Sequence, residues 1–301
     1  MRIPIVIATC LVAATAAADD PKPEAQVILE RAIAGEKQAG VLDQALVDLD
    51  ALAAKQPRDP DTQYARGWVL SHLGKLEPAV AAYDRAFALD KQLADAPYNA
   101  GVVLARLGKA KEAAAHFDRA LAANPKHVDA AYNAGQSYYD QKDWKRAAER
   151  WATATKLAPT DFNAAKKLVQ AHVALGNDKE AAAARARVIE LWKTATDPAL
   201  KKKKSYVYDQ FEVGKYHIMV NEAFDTGGDL AYVYEFAVID QDRTLGTINL
   251  ETSAVIREQG TPYVLGIDKD GTHTTTPLAW KALPTYRTVK TEATKLIKSK
   301  F

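Results

Sequence analysis

The chain has 301 residues, 40 lysines and arginines against 38 aspartates and glutamates, a formal net charge of +2, and 48% hydrophobic residues. That length holds more than one domain, and that apolar fraction sustains a real core. The near balance of charge removes any global case for a nucleic-acid partner, which needs a clustered basic face.

Residues 1–18 read as a secretory signal peptide. Met1-Arg2 gives a short positive start, Ile3 to Ala17 is apolar, and Ala16-Ala17-Ala18 before Asp19-Asp20 offers an A-x-A cleavage site. The run is too short to span a membrane. Cys10, the single cysteine, follows Ile7-Ala8-Thr9 in a loose lipobox, but Thr9 is a poor residue before a lipidated cysteine and Cys10 comes too early, which argues against a lipid anchor. Cleavage after Ala18 leaves a mature chain with no disulfide, no cysteine nucleophile and no thiolate metal site. No other apolar run approaches membrane-spanning length, so the expectation is an exported protein, periplasmic or extracellular, with no integral membrane segment after cleavage. Residues 19–25 read as a linker.

An internal repeat follows. Tyr98-Asn99-Ala100-Gly101 recurs as Tyr132-Asn133-Ala134-Gly135, Phe117 as Trp151, Ala120 as Ala154 and Pro125 as Pro159. Carried in both directions, the same step divides residues 26–196 into five units: 26–59, 60–93, 94–127, 128–161 and 162–196. A fixed step of this size signals stacked helix pairs. In each first helix, small or apolar residues recur at helical spacing, as in Pro97, Ala100, Gly101 and Leu104. Gly74, Gly108 and Gly176 supply the turn. Second helices place Ala79, Tyr83 and Ala86, or Ala113, Phe117 and Ala120, on one face. Pro57, Pro125 and Pro159 close the units, and Asp61, Asp95 and Asp129 stand where a carboxylate can cap a first helix.

These features resemble the tetratricopeptide repeat (TPR). The pattern departs from the family at Ile33 and Val169, which replace the packing glycine in the outer units, and at Lys142, which replaces the turn glycine of the fourth. The resemblance implies an all-α superhelix of about five repeats whose first helices line a concave groove. It also implies a protein or peptide partner held there. The residues expected to line the groove are Tyr64, Trp68, Tyr98, Asn99, Tyr132, Asn133, Gln136, Tyr139, Lys166 and Gln170. The tyrosines and tryptophan combine apolar area with a polar tip, and Asn99 and Asn133 would hydrogen-bond partner backbone. The competing use of the tyrosines is stacking between repeats. Self-association through the repeats is a third possibility.

Residues 197–204, with Lys201 to Lys204, read as a lysine-rich linker. From Ser205 the apolar period changes to two, through Tyr216 to Val220, Leu230 to Ile239, Gly246 to Ile256 and Tyr263 to Ile267, with turn signals between the runs. Short spacing favours antiparallel hairpins. Val289, Ala293, Leu296 and Ile297 then share a helix face. Residues 205–301 therefore read as a small antiparallel sheet domain with a C-terminal helix, and the whole chain as an α+β multidomain protein.

The chemistry-bearing patterns are sparse. Asp240-Gln241-Asp242 and Asp268-Lys269-Asp270-Gly271 have the spacing that begins a calcium loop, without its further ligands and closing glutamate, and tight hairpins want the same residues. His217, Glu222 and Ser205 form no spacing that selects a nucleophile set, and His273 lacks a ligand partner at helical spacing. No phosphate-cradling or hydrolase motif is present. The reading is an exported non-catalytic interaction scaffold with no cofactor and no metal. The alternative is a ligand-binding or hydrolytic C-terminal domain whose substrate the repeats recruit.

Overall fold

The protein is described by a computed structural model, over residues 22–203, 205–223, 230–253, 263–280 and 285–301. The expected signal peptide with Cys10, Lys204, and the turn at 226–229 lie outside these residues. The chain divides into two compact units, Met1–Pro159 and Thr160–Phe301.

The first unit contains four helix pairs: α1 (Glu24–Ala34) with α2 (Val41–Lys55), α3 (Pro60–His72) with α4 (Leu76–Leu89), α5 (Asp95–Arg106) with α6 (Ala110–Ala123), and α7 (Val128–Asp140) with α8 (Trp144–Leu157). Each later pair closes by a small residue against a ring. A methyl group added at Gly67, Gly101 or Gly135 would lie 2.7, 2.7 and 2.5 Å from atoms of Tyr83, Phe117 and Trp151. Only hydrogen fits there, so the pattern of glycine against aromatic fixes how closely the two helices of a pair approach. The turn between helices needs a left-handed residue, supplied by Gly74 at φ 75° and Gly108 at φ 73°, and by Lys142 at φ 62° in the fourth pair. The helix caps differ from expectation. Asp59 accepts from the Thr62 N–H at 2.9 Å, and His127 accepts from Ala130 N–H at 3.3 Å, while Asp61, Asp95 and Asp129 sit inside the first turn. There they face the positive end of the helix dipole instead of capping an N–H.

The second unit begins with a fifth pair, α9 (Phe162–Leu175) and α10 (Asp178–Thr194), and the short α11 (Pro198–Lys201). A six-stranded antiparallel meander follows in the order β1 (Ser205–Val213), β2 (Tyr216–Ala223), β3 (Leu230–Asp240), β4 (Arg243–Ser253), β5 (Tyr263–Lys269) and β6 (Thr272–Trp280), and then α12 (Tyr286–Lys300). Register puts Val220, Phe236, Ile248 and Ile267 side by side on one face. That face shares a core with Val289, Ala293 and Ile297 of α12 and with Phe162, Ala165, Val169, Val188 and Leu191 of α9 and α10. The other face carries the row Met219, Ala237, Thr247, Asp268 and His273.

The fifth pair thus behaves differently from the boundaries read at 162–196 and 205–301. It is a repeat in sequence, and in space it belongs to the core of the sheet. The physical reason is visible in one column. Tyr83, Phe117 and Trp151 occupy equivalent positions, and the fifth pair has Arg185 there, opposite Val169 in place of glycine. Valine leaves no slot for a ring, and Arg185 instead pairs with the fully buried Glu222 of β2. Gln170 of α9 donates to the Val207 carbonyl of β1 at 3.0 Å.

Candidate partner-binding surface

The first helices α3, α5 and α7 carry the expected lining, and much of it is used internally. Tyr64 is 5% exposed, Tyr98 1%, Trp68 and Asn99 0%, Asn133 7% and Tyr139 6%. Asn99 Nδ2 donates to the Tyr64 hydroxyl at 2.9 Å, and Asn133 Nδ2 donates to the Tyr98 hydroxyl at 3.2 Å. Each asparagine therefore reaches back to the tyrosine of the preceding repeat. Each bond answers a buried amide N–H with a phenol oxygen, while Asn99 Oδ1 is buried without a hydrogen-bond partner among the described residues. This corrects the expectation that Asn99 and Asn133 present free amides to a partner. Their donors are committed to the repeat boundary, and the tyrosines serve stacking. Burial, with Asp129 nearby, also lifts the Tyr98 phenol well above its ordinary value.

The rings pack locally as well. Tyr98 lies 5.7 Å from Phe117 and 4.6 Å from His127, centroid to centroid, and Tyr139 lies 4.7 Å from Trp144 and 5.4 Å from Trp151. Trp68 stacks on His72 at 3.6 Å.

Tyr132 and Gln136, one turn apart on α7, are only half-buried. Gln136 Nε2 donates to Asp140 at 2.7 Å, while its carbonyl Oε1 is buried with no hydrogen-bond donor among the described residues. Trp151 Nε1 donates to the Tyr132 carbonyl at 3.0 Å and fixes that turn. In the second unit, Gln170 is buried against β1, so it forms part of the sheet's attachment and not an open lining. Lys166 stands 5.1 Å over the Phe162 ring, and burial together with Lys203 and Lys167 lowers its pKa.

The candidate catalytic residues are not assembled. His217 Nδ1 lies 2.8 Å from Glu212, while Glu222 sits on the opposite face of β2 and is bound by Arg185 and the Tyr206 hydroxyl. Burial raises the Glu222 pKa, with Arg185 opposing. Asp268 accepts from Asn249 at 2.7 Å and lies 2.8 Å from His273. Its loop is a hairpin turn in which Asp270 and Gly271 take φ 52° and 73°, and no cluster of three metal-ligating His, Cys, Asp or Glu side chains occurs among the described residues. Among these residues no helix is long and apolar enough to cross a membrane.

The pairing of asparagine and tyrosine across repeats was not recognised in the sequence. The signal was the recurrence of Tyr-Asn with a separation one residue longer than the repeat. The Arg185 substitution was equally visible as a break in the aromatic column.

A profile of the tetratricopeptide repeat matches residues 36–94, 98–161 and 132–195. No curated protein matches the sequence. Among solved structures, a MamA protein is 20% identical with TM-score 0.49 over 56% of this chain and 92% of that one. MamA residues 41 to the end, from Desulfovibrio magneticus RS-1, is 24% identical with TM-score 0.48 over 58% and 99%. YrrB, described as a TPR protein with an unusual peptide-binding site, is 19% identical with TM-score 0.47 over 59% and 89%.

Proposed function

The chain belongs to the tetratricopeptide-repeat family, and from that premise we propose that it is a non-catalytic interaction scaffold that holds an extended segment of a partner protein along its first helices. The observation that carries this reading is the repeat match itself, with Tyr132 and Gln136 half-buried one turn apart on the first helix α7. The Gln136 side chain is already held by Asp140, which fixes its position beside the ring. Tyr132 beside it offers an amphipathic ring of the kind that anchors interfaces. The Tyr64–Asn99 and Tyr98–Asn133 pairs favour this use, because helices fixed in register need little ordering on binding.

The reading includes export, supported by the charged start, apolar run and A-x-A site of residues 1–18. The mass of the mature protein recovered from cell-envelope extract tests it: a start at Asp19 supports export, and an intact Met1 opposes it.

The binding test is a capture from the same extract with the mature protein and with a Tyr132→Ala, Gln136→Ala double variant. Loss of a captured protein in the variant supports the groove. Identical capture by both removes it.

A further inference from the structure

A second recurring contact runs along the second helices of the first unit. Asp84 of α4 meets His116 Nε2 at 3.2 Å and Arg119 Nη1 at 2.7 Å, both from α6. Asp118 of α6 accepts from Arg150 Nε of α8 at 2.7 Å. The column of Asp50, Asp84 and Asp118 is aspartate throughout. The column that answers it, one pair later, reads Ala82, His116 and Arg150. At the first boundary the answering nitrogen side chain is therefore missing, and a methyl group stands in its place.

The neighbours adjust only in part. Arg66 of α3 reaches across to Asp50 at 2.8 Å and neutralises it. Arg85, equivalent to the Arg119 that binds Asp84, is exposed and makes no ion pair among the described residues. What remains is a cleft of about 410 Å³ with Leu46, Leu70, Pro78 and Ala82 in its apolar lining and Arg66 and Arg85 among its walls. A volume of roughly 300–1,000 Å³ is usual for ligand pockets.

We propose that this cleft between α2, α3 and α4 is a docking surface, distinct from the Tyr132 and Gln136 surface of α7, for an acidic partner segment. An aliphatic side chain of leucine size seats on Leu46, Leu70 and Ala82, and a carboxylate pairs with Arg85. The charge balance selects the sign. Asp50 and Arg66 cancel, so Arg85 leaves one uncompensated positive charge at an apolar site, which a basic segment would meet with repulsion. Arg66, already held by Asp50 and by Gln63 Oε1 at 3.1 Å, is pre-positioned to shape the wall.

The test uses the full mature chain and a fluorescein-labelled peptide of leucine and glutamate, followed by fluorescence anisotropy. Ala82→His places at the cleft the residue that the next repeat carries at His116, fills the space and offers Asp50 a second partner beside Arg66. Arg85→Glu reverses the free charge at an exposed position. Saturable binding is expected, weakened by about tenfold or more in each variant, with the matched leucine–lysine peptide binding no better than the variants do. Thermal melts of both variants verify that they are folded. Equal binding by the wild type and both folded variants overturns the proposal. So does absence of saturable binding to the wild type, or capture of phosphatidylglycerol vesicles in place of the peptide.

Discussion

Asn99 is fully buried and gives its amide to the hydroxyl of Tyr64 in the preceding repeat. This contact bridges two helix pairs with a polar bond inside an apolar stack. Removing it with Asn99→Ala takes away one buried bond and the amide that fills its site, at a cost of about 1–3 kcal/mol. Urea denaturation measures it. Asn133→Ala, at a longer bond and a less buried site, is expected to cost less. The reverse order would mean that the pair near the chain's start is not the stronger rung.

Gly135→Ala introduces a methyl group 2.5 Å from the Trp151 indole. The helices of the fourth pair must separate or the ring must leave its rotamer, and a loss of about 1–3 kcal/mol is expected. A thermal midpoint unchanged from the wild type would show that the slot is looser than the geometry states.

Lys142 holds a left-handed conformation that the equivalent turns assign to glycine. A side chain there costs roughly 1–2 kcal/mol, and glycine removes the strain while adding freedom to the unfolded chain. Lys142→Gly is expected to raise stability by about 0.5–1 kcal/mol in the same denaturation assay.

Arg185 and Glu222 tie α10 to β2. Replacing Arg185 with leucine leaves a fully buried carboxylate without its cation, and a loss of about 3 kcal/mol is expected in the second unit. Adding Glu222→Gln to that variant removes the stranded charge and should recover most of the loss. No recovery would place the effect in packing and not in charge.

The same carboxylate sets a pH dependence. Burial raises its pKa in the folded protein above the ordinary carboxylate value, so the folded state binds the proton more tightly than the unfolded chain does. Stability from this group is therefore present at low pH and falls as pH rises from the unfolded value through the raised one. Glu222→Gln abolishes that component, and the wild-type-minus-variant difference should slope downward with pH across the window. An upward slope contradicts the assignment.

The helix pairs were legible because their determinants are local. Glycine against aromatic, a left-handed turn and a closing proline repeat at a fixed step, so one pair teaches the next. The strands from Ser205 were legible for the same kind of reason, since alternation shows in the residues themselves. The lining was less so. Tyr98 and Asn99 have the chemistry of a groove and the chemistry of a buried rung, and only the position of Tyr64 one repeat away decides between them. The attachment of the fifth pair to the sheet depends on Arg185 meeting Glu222, two residues distant in sequence whose meeting no periodicity announces. The cap residues Asp59 and His127 were missed by a position or two, because several polar residues near each helix start could serve.

The column that changes from ring to guanidinium at Arg185 has a consequence for how such a chain can evolve. The sheet carries its own terminal repeat, already bonded through that arginine. Whole repeats inserted or deleted before Phe162 leave this bonded end-piece untouched. Reach and lining can then vary by duplication while the last domain stays constant, and a chimera joined at Pro159 should inherit a complete module where one joined at Ser205 would inherit a sheet stripped of part of its core.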